Sequence, residues 1–143
     1  AGRALPERIG AGLLSSWLIV RFMSVFLAQS KDTELRRWIH SQHHTHFSRY
    51  ATRDSVVEGF EASISADVSM YASSITAPTL LIGADNDPIT TVAAQEALQA
   101  LFPDARLTIL KGVGHLVHYE KPREAAELIV EFLGDGSVAG ERA

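Results

Sequence analysis

Two short turns in this sequence carry the residue types of general-base catalysis. His115 follows the glycine turn Gly112-Val113-Gly114, directly after an apolar run that is typical of a strand. Upstream, Asp85 and Asp87 follow a second apolar run. An imidazole can take the proton of a weak nucleophile, and a carboxylate can orient that imidazole. The pattern therefore predicts the base and the acid of a nucleophile–base–acid triad.

The group that such a pair activates is not found in the sequence. None of the 143 residues forms a Gly-x-Ser-x-Gly turn, and the sequence has no cysteine. Thiolate chemistry, disulfides and zinc–thiolate sites are therefore excluded. Because the first residue is Ala1, we expect a segment of a longer protein, which supplies the nucleophile; alone, the chain is expected to be inactive.

The elements that must position these residues differ between the two halves of the chain. Residues 5–74 carry helical signals, whereas residues 75–133 alternate between strand and helix. The predicted strands cover residues 79–83 and 106–110. A strand–helix–strand unit with a short crossover favours parallel strands, and ligands of such sheets bind at the carboxyl ends. We expect His115 and the acids to meet there.

Capping residues and helical spacing predict the helices. Asp32 or Thr33 caps one of them, Thr90 or Thr91 caps the helix between the strands, and Pro122 opens the final one. Other helices are predicted around residues 6–21, 52–64 and 67–71, and residues 134–143 are predicted to be a disordered tail.

The two strands lack polar alternation, which is typical of strands covered on both faces. Uncovering Leu80, Ile82, Leu107 and Ile109 would cost ~1.5–3 kcal/mol each, which together approaches the stability of a domain. We therefore predict a covering partner: a missing N-terminal part of the same protein, or a second copy that associates through the strand edge as a dimer.

Composition argues against several classes of function. The net charge of −4 disfavours a nucleic-acid-binding surface. The most apolar run, residues 12–28, has 17 residues and includes Arg21, so we predict a soluble or interfacial helix and no stable membrane insertion. The absence of cysteine fits a cytoplasmic protein, and we predict that location.

Two further sets of side chains each have two interpretations. Residues 40–46 hold four of the six histidines, with His40, His43 and His44 at a helical spacing that suits zinc or nickel. Because no carboxylate completes a site, we predict a polar helix without a metal, with metal sensing as the alternative. Either a helical core or the wall of an apolar acyl pocket is formed by Trp17, Phe22, Met23, Phe26, Trp38 and Phe47.

Residues 75–133 contain a series of motifs that resembles the C-terminal part of the α/β-hydrolase family. In chain order the motifs are Ala77-Pro78-Thr79-Leu80-Leu81-Ile82-Gly83, Asp87-Pro88, Phe102-Pro103-x-Ala105-Arg106, Gly112-Val113-Gly114-His115 and His118-x-Glu120-Lys121-Pro122. The resemblance implies an α/β fold that is part of the α/β-hydrolase fold. A helical cap segment, residues 1–74, is followed by two parallel strands with flanking helices, residues 75–133.

The resemblance also implies roles for individual residues. His115 takes the position of the general base, and Asp87 takes that of the acid, because the family places a proline directly after it. Asp85 is the alternative acid, and we expect it instead to accept backbone hydrogen bonds in a turn. His118 is expected to be a packing or surface residue. The nucleophile, serine or aspartate, and the oxyanion hole lie upstream in the family.

The function implied is hydrolysis of a small apolar ester, or of a similar carbonyl substrate, through an acyl-enzyme. The resemblance implies no cofactor. The alternative is a non-catalytic binding or interaction module that keeps the hydrolase fold and self-associates.

Overall fold

The structure, a computed structural model, describes residues 17–47, 54, 58–59, 61–62, 65 and 67–134, with only the backbone of Trp17, Ile19 and Phe47. The chain divides into two compact units: Ala1–Phe26 with Asp32–Asp67, and Leu27–Lys31 with Val68–Ala143. The predicted cap boundary after residue 74 stays a prediction. Outside the described residues lie the start of the first predicted helix, most of residues 52–64 and all but the first residue of the predicted tail.

The first unit is built from helices. Helix α1 spans Trp17–Leu27, its last residue belonging to the second unit, and α2 spans Thr33–Gln42 and continues into one π-helical turn, His43–Phe47. Asp32 caps α2, because its Oδ1 accepts from the amides of Glu34 at 2.9 Å and Leu35 at 3.1 Å. Of the two predicted capping residues, Asp32 is therefore the one that satisfies the first-turn donors.

The second unit contains the two predicted strands. Strand β1, Thr79–Ala84, pairs in parallel with β2, Ala105–Leu110, in a register that runs from Thr79 opposite Ala105 to Ala84 opposite Leu110. Short helix α3, Ser69–Ala72, precedes β1, and α4, Val92–Gln99, connects the strands. The parallel arrangement predicted from the crossover is confirmed.

Two helices follow β2. Helix α5 spans Val117–Glu120, and α6 spans Pro122–Gly134 with proline at its first position, as predicted. Helix α5 was not predicted, because four residues are too few to show a helical period. Within the described ranges, none of the helices is long and apolar enough to cross a membrane.

The strands are less covered than their composition predicts. Leu80, Ile82, Leu107 and Ile109 are only half-buried. A covering partner from outside these residues, as predicted from the strand composition, stays a prediction. Within the described residues the sheet has two strands, so each strand is hydrogen-bonded along one edge.

Three buried apolar side chains of the second unit lie close to the ends of the strands. Ala84 ends β1, and Val113 and Leu116 lie just after β2. His115 is exposed, whereas Val113 and Leu116 on either side of it are buried. The burial of these two side chains anchors the backbone on both sides of His115.

Candidate active site

The structure brings His115 and Asp87 into direct contact. Nδ1 of His115 lies 3.0 Å from Oδ2 of Asp87, although the two residues are 28 positions apart. The imidazole side chain is 40% exposed, whereas the carboxylate is 10% exposed. Each residue follows the carboxyl end of its parallel strand, so the contact arises from the register of β1 and β2. The predicted meeting of His115 and Asp87 at this edge is therefore observed.

The Asp87 carboxylate is fixed by the turn that contains it. Its Oδ1 accepts from the amides of Ile89 at 2.8 Å and Thr90 at 3.1 Å, which leaves Oδ2 for the imidazole. Partial burial acts to raise the pKa of Asp87. The hydrogen bonds from His115, Ile89 and Thr90 outweigh burial, so the pKa of Asp87 lies below its ordinary value. The group is a carboxylate at neutral pH.

An ionised carboxylate selects one form of the imidazole. Asp87 can only accept hydrogen bonds, so Nδ1 of His115 carries the proton and donates it to Oδ2. In a neutral ring the other nitrogen, Nε2, then holds a lone pair. That form can accept a proton from a third group, which is the chemical step of a general base.

Asp85 has a different task from Asp87. Its Oδ1 accepts from the amide of Gly112, a residue that follows β2 in the chain, at 2.7 Å. The Asp85 amide donates to Leu110 O at 3.1 Å, and the Asn86 amide donates to Val113 O at 3.1 Å. These bonds join the turn after β1, residues 85–90 (the acidic turn), to the turn after β2, residues 112–115 (the histidine turn). They agree with the expectation that Asp85 binds backbone groups.

The two glycines of the histidine turn are required for different reasons. Gly112 has a φ of 73°, a left-handed conformation that favours glycine. Gly114 is a site of close approach instead, because a Cβ there would overlap the carbonyl oxygen of Leu27 and the side chain of Gln29. The sequence predicted a tight turn. The structure shows that Gly112 provides the left-handed conformation of this turn, whereas Gly114 allows the backbone of Leu27 to approach closely.

Comparison with known proteins identifies the family of the chain. The family model described as alpha/beta hydrolase fold matches residues 5–122, which is more than half of the chain. The chain belongs to the α/β-hydrolase family. Its two parallel strands with flanking helices are a part of the α/β-hydrolase fold.

The similar proteins include an esterase and a monoacylglycerol lipase, and both are longer than this α/β-hydrolase chain. Esterase YbfF of Escherichia coli is 38% identical over 58 residues, 41% of this chain and 23% of that protein. Monoacylglycerol lipase abhd6-A of Xenopus laevis is 36% identical over 59 residues, 41% of this chain and 18% of that protein. The chain thus spans less than two thirds of the curated relatives it matches.

A solved structure supports the same fold. The thermophilic esterase from Thermogutta terrifontis superposes with a TM-score of 0.70 at 19% identity, covering 90% of this α/β-hydrolase chain and 48% of that protein. At this identity the likeness shows the fold and leaves substrate open.

Two buried polar residues of this α/β-hydrolase were not assigned a role from sequence. Gln95 of α4 donates through Nε2 to Ala84 O at 3.0 Å and to Thr90 O at 2.7 Å, which ties together both ends of the acidic turn. Glu120 of α5 accepts from the amides of Gly114 and Ser30. A usable sequence signal existed for Glu120, since it lies in the His118-x-Glu120-Lys121-Pro122 motif; Gln95 has none.

The histidine-rich segment behaves as a polar helix end in the residues described. Nδ1 of His40 is hydrogen-bonded to Oγ of the fully buried Ser24. The pKa of His40 lies below its ordinary value, and burial is the largest cause. The neighbouring charges of Arg21, Arg36 and His43 lower it further. In the parts of the chain that the structure covers, no three His, Asp or Glu side chains are grouped to hold a metal ion.

The remaining predicted side chains are exposed. His118 lies at the surface, with its ring 4.5 Å from that of Tyr119. Phe22 and Phe26 stack with ring centroids 6.2 Å apart. The core interpretation is wrong for the four described members of the set, because all of them are exposed: Phe22, Met23, Phe26 and Trp38. The acyl-pocket interpretation stays a prediction.

Proposed function

We propose that this α/β-hydrolase chain supplies the base and the acid of a nucleophile–His–Asp triad. In this proposal Nε2 of His115 takes the proton of the nucleophile and later returns one to the leaving group. Asp87 holds the Nδ1 proton and stabilises the imidazolium that forms. The observation that carries the proposal is the 3.0 Å contact between His115 and Asp87 at the carboxyl ends of two parallel strands.

The nucleophile in this proposal lies outside the 143 residues. The absence of any Gly-x-Ser-x-Gly turn from the sequence supports this assignment. The short share of each relative that the chain covers supports it as well. Upstream residues of a longer protein would supply the nucleophile and the oxyanion hole, and this chain alone would be inactive.

The substrate class we propose is a small apolar ester. Attack by the nucleophile would form an acyl-enzyme and release the alcohol, and His115 would then activate the water that releases the acid. The names of the similar proteins, an esterase and a monoacylglycerol lipase, support this class of reaction.

A covering partner for the sheet belongs to the same proposal. Half-buried Leu80, Ile82, Leu107 and Ile109 support the presence of further structure over the strands. The upstream part of the same protein is the proposed cover, with a second copy joined at the strand edge as the alternative.

The test compares this chain with the same chain extended by the upstream residues of its reading frame, here called the extended chain. Hydrolysis of 4-nitrophenyl acetate and butyrate is followed for both, and intact mass after an acid quench detects an acylated enzyme. We expect turnover and an acyl adduct from the extended chain and neither from the 143 residues.

Two results would contradict the proposal. Equal turnover by the 143 residues alone would show that the nucleophile is within them. An extended chain that hydrolyses none of the esters and forms no adduct would favour the non-catalytic binding module instead.

A further inference from the structure

Glu120 is a buried carboxylate with two backbone partners. It is 7% exposed and ends the four-residue helix α5. Its Oε1 accepts from the amide of Gly114 at 3.0 Å, and its Oε2 accepts from the amide of Ser30. A buried carboxylate is costly unless donors compensate for it, and here an amide faces each oxygen of Glu120.

The two partners of Glu120 lie in two chain segments that meet at the His115 amide. Gly114 immediately precedes His115 in the chain. Ser30 lies in the segment Leu27–Lys31, and Leu27 O of that segment accepts from the His115 amide at 3.0 Å. Glu120 therefore links the segment that holds the His115 amide to the residue next to His115.

The close contact at Gly114 makes this arrangement tight. A Cβ at Gly114 would overlap Leu27 O, so the turn lies directly against the segment Leu27–Lys31. On its other side the turn is held by Asp85, which accepts the Gly112 amide at 2.7 Å. Loss of the Glu120 carboxylate would remove its hydrogen bonds to Gly114 and Ser30, and with them one of the restraints on the turn.

We infer that Glu120 is a positioning residue for His115: its carboxylate bridges Gly114 and Ser30 and so fixes the turn that presents the imidazole to Asp87. The inference rests on the proposed function, because it assigns Glu120 to the base of that triad. A carboxylate is suited to this place because each oxygen faces an N–H donor. Glutamine would turn an NH₂ group toward one of those donors.

The test is Glu120→Gln in the extended chain, with Glu127→Gln as the matched control. Glu127 is an exposed residue of α6 that pairs with Arg123 at 2.9 Å, so the control makes the same chemical change at the surface. Three quantities are measured: kcat and KM for 4-nitrophenyl acetate, the protonated ring nitrogen of His115 by ¹⁵N NMR, and the titration of the Asp87 carboxyl by ¹³C NMR.

We expect Glu120→Gln to lower kcat by roughly 10- to 100-fold through misplacement of the base, with KM changed less than twofold. The Nδ1 proton of His115 should no longer be held in one place. Asp87 should titrate at a higher pH, because the hydrogen bond from His115 helps to lower its pKa. Glu127→Gln should change none of these quantities.

A purely structural role predicts a different result. If Glu120→Gln lowers only the unfolding temperature, and leaves kcat, the His115 tautomer and the Asp87 titration unchanged, the inference is wrong. If Glu120→Gln does not fold, Glu120→Asp, which keeps the charge on a shorter side chain, is measured in the same way. Failure of the proposed function is separate, since turnover that survives His115→Ala would reject it while the NMR measurements still report on Glu120.

Discussion

Asp85 and Asp87 follow the same strand and differ in the donors that face them. The Gly112 amide donates to Asp85, whereas the imidazole of His115 donates to Asp87. An asparagine at position 85 still offers an oxygen to an amide. At position 87 it can turn its NH₂ group toward the ring and favour the wrong tautomer of His115. At the residue scale, the two positions should therefore respond differently to the same substitution.

We predict that Asp87→Asn in the extended chain lowers kcat by about 10³- to 10⁴-fold, because the orienting acid acts through the base. Asp85→Asn is the matched control, and its kcat should stay within roughly tenfold of the unmodified protein, since its oxygen still accepts the Gly112 amide. Steady-state kinetics on 4-nitrophenyl esters measure both. Equal losses at the two positions would mean that Asp87 is not specific to the base.

Asp87 also makes stability depend on pH. Its pKa is lowered in the folded state, so the unfolded chain binds more protons as the pH falls past about 3.9. The stability that Asp87 contributes is therefore fully present above that pH and is lost as the pH falls through its folded pKa. Urea unfolding between pH 3 and 6 should show a difference between the unmodified chain and Asp87→Asn that shrinks on acidification. Parallel curves would contradict the assignment.

Residue types in a local pattern were enough to predict that His115 meets an acid of the preceding strand's turn, and the family resemblance favoured Asp87 over Asp85. A glycine turn after a strand and an acid after the preceding strand are visible in sequence, and parallel strands bring them together. Gln95 and Glu120 could not be assigned in that way. Glu120 lies in a motif of the resemblance, but its contact with Ser30, 90 positions away, is not encoded by any local spacing. Gln95 acts through burial and through two backbone carbonyl groups, those of Ala84 and Thr90, which its residue type does not reveal.

At the scale of elements, the residue types that cap helices left one or two candidate starting residues for each of these helices. Asp32 and Thr91 are the residues whose side chains accept first-turn amides, the latter from Ala94 at 3.2 Å. The choice between each cap and its neighbour required backbone geometry. The π-helical turn His43–Phe47 was not predicted, because a single turn of five residues has no period to detect.

Alanine substitution of the two glycines in the histidine turn should destabilise the protein to different extents. We expect Gly112→Ala to reduce the free energy of unfolding by roughly 1–2 kcal/mol, the cost of a left-handed alanine in open space. Gly114→Ala should cost more, about 2–4 kcal/mol, because the new Cβ must displace the backbone of Leu27. Urea unfolding at neutral pH measures both.

Gly114→Ala should also lower turnover in the extended chain, since the backbone shift reaches His115 directly. The account of the turn would be contradicted if Gly112→Ala were the more harmful of the two, or if Gly114→Ala left both stability and turnover unchanged.

At the scale of the whole molecule, strand composition and strand burial disagree. Apolar strands without polar alternation are typical of a sheet covered on both faces, yet the four apolar positions named above are half-buried here. Sequence composition reports the environment in which a strand is stable. It does not report which chain provides that environment. For this reason the sequence predicted that the strands are covered, but it did not identify the segment or chain that covers them.

The alternating direction of the amides along β1 identifies those that a covering strand would bind. The Thr79 amide donates to Asp104 O and the Asp85 amide donates to Leu110 O, so the odd-numbered amides of β1 face β2. Leu80, Ile82 and Ala84 therefore point their amides away from β2. We predict that hydrogen exchange at these three positions is at least tenfold slower in the extended chain than in the 143 residues, because a further strand pairs with that edge.

Slow exchange in the 143 residues that depends on protein concentration would assign the cover to a second copy. Equal, fast exchange in both proteins would contradict the prediction of a covering strand.

The most direct test of the central claim uses two histidines three residues apart. His115 contacts Asp87, whereas His118 lies at the surface beside Tyr119. In the extended chain, His115→Ala is expected to reduce kcat for 4-nitrophenyl acetate by roughly 10⁴- to 10⁶-fold, because the members of a triad act as a unit. His118→Ala is expected to leave kcat within about twofold, by the same reasoning. Near-full turnover by His115→Ala would contradict the assignment of His115 as the base.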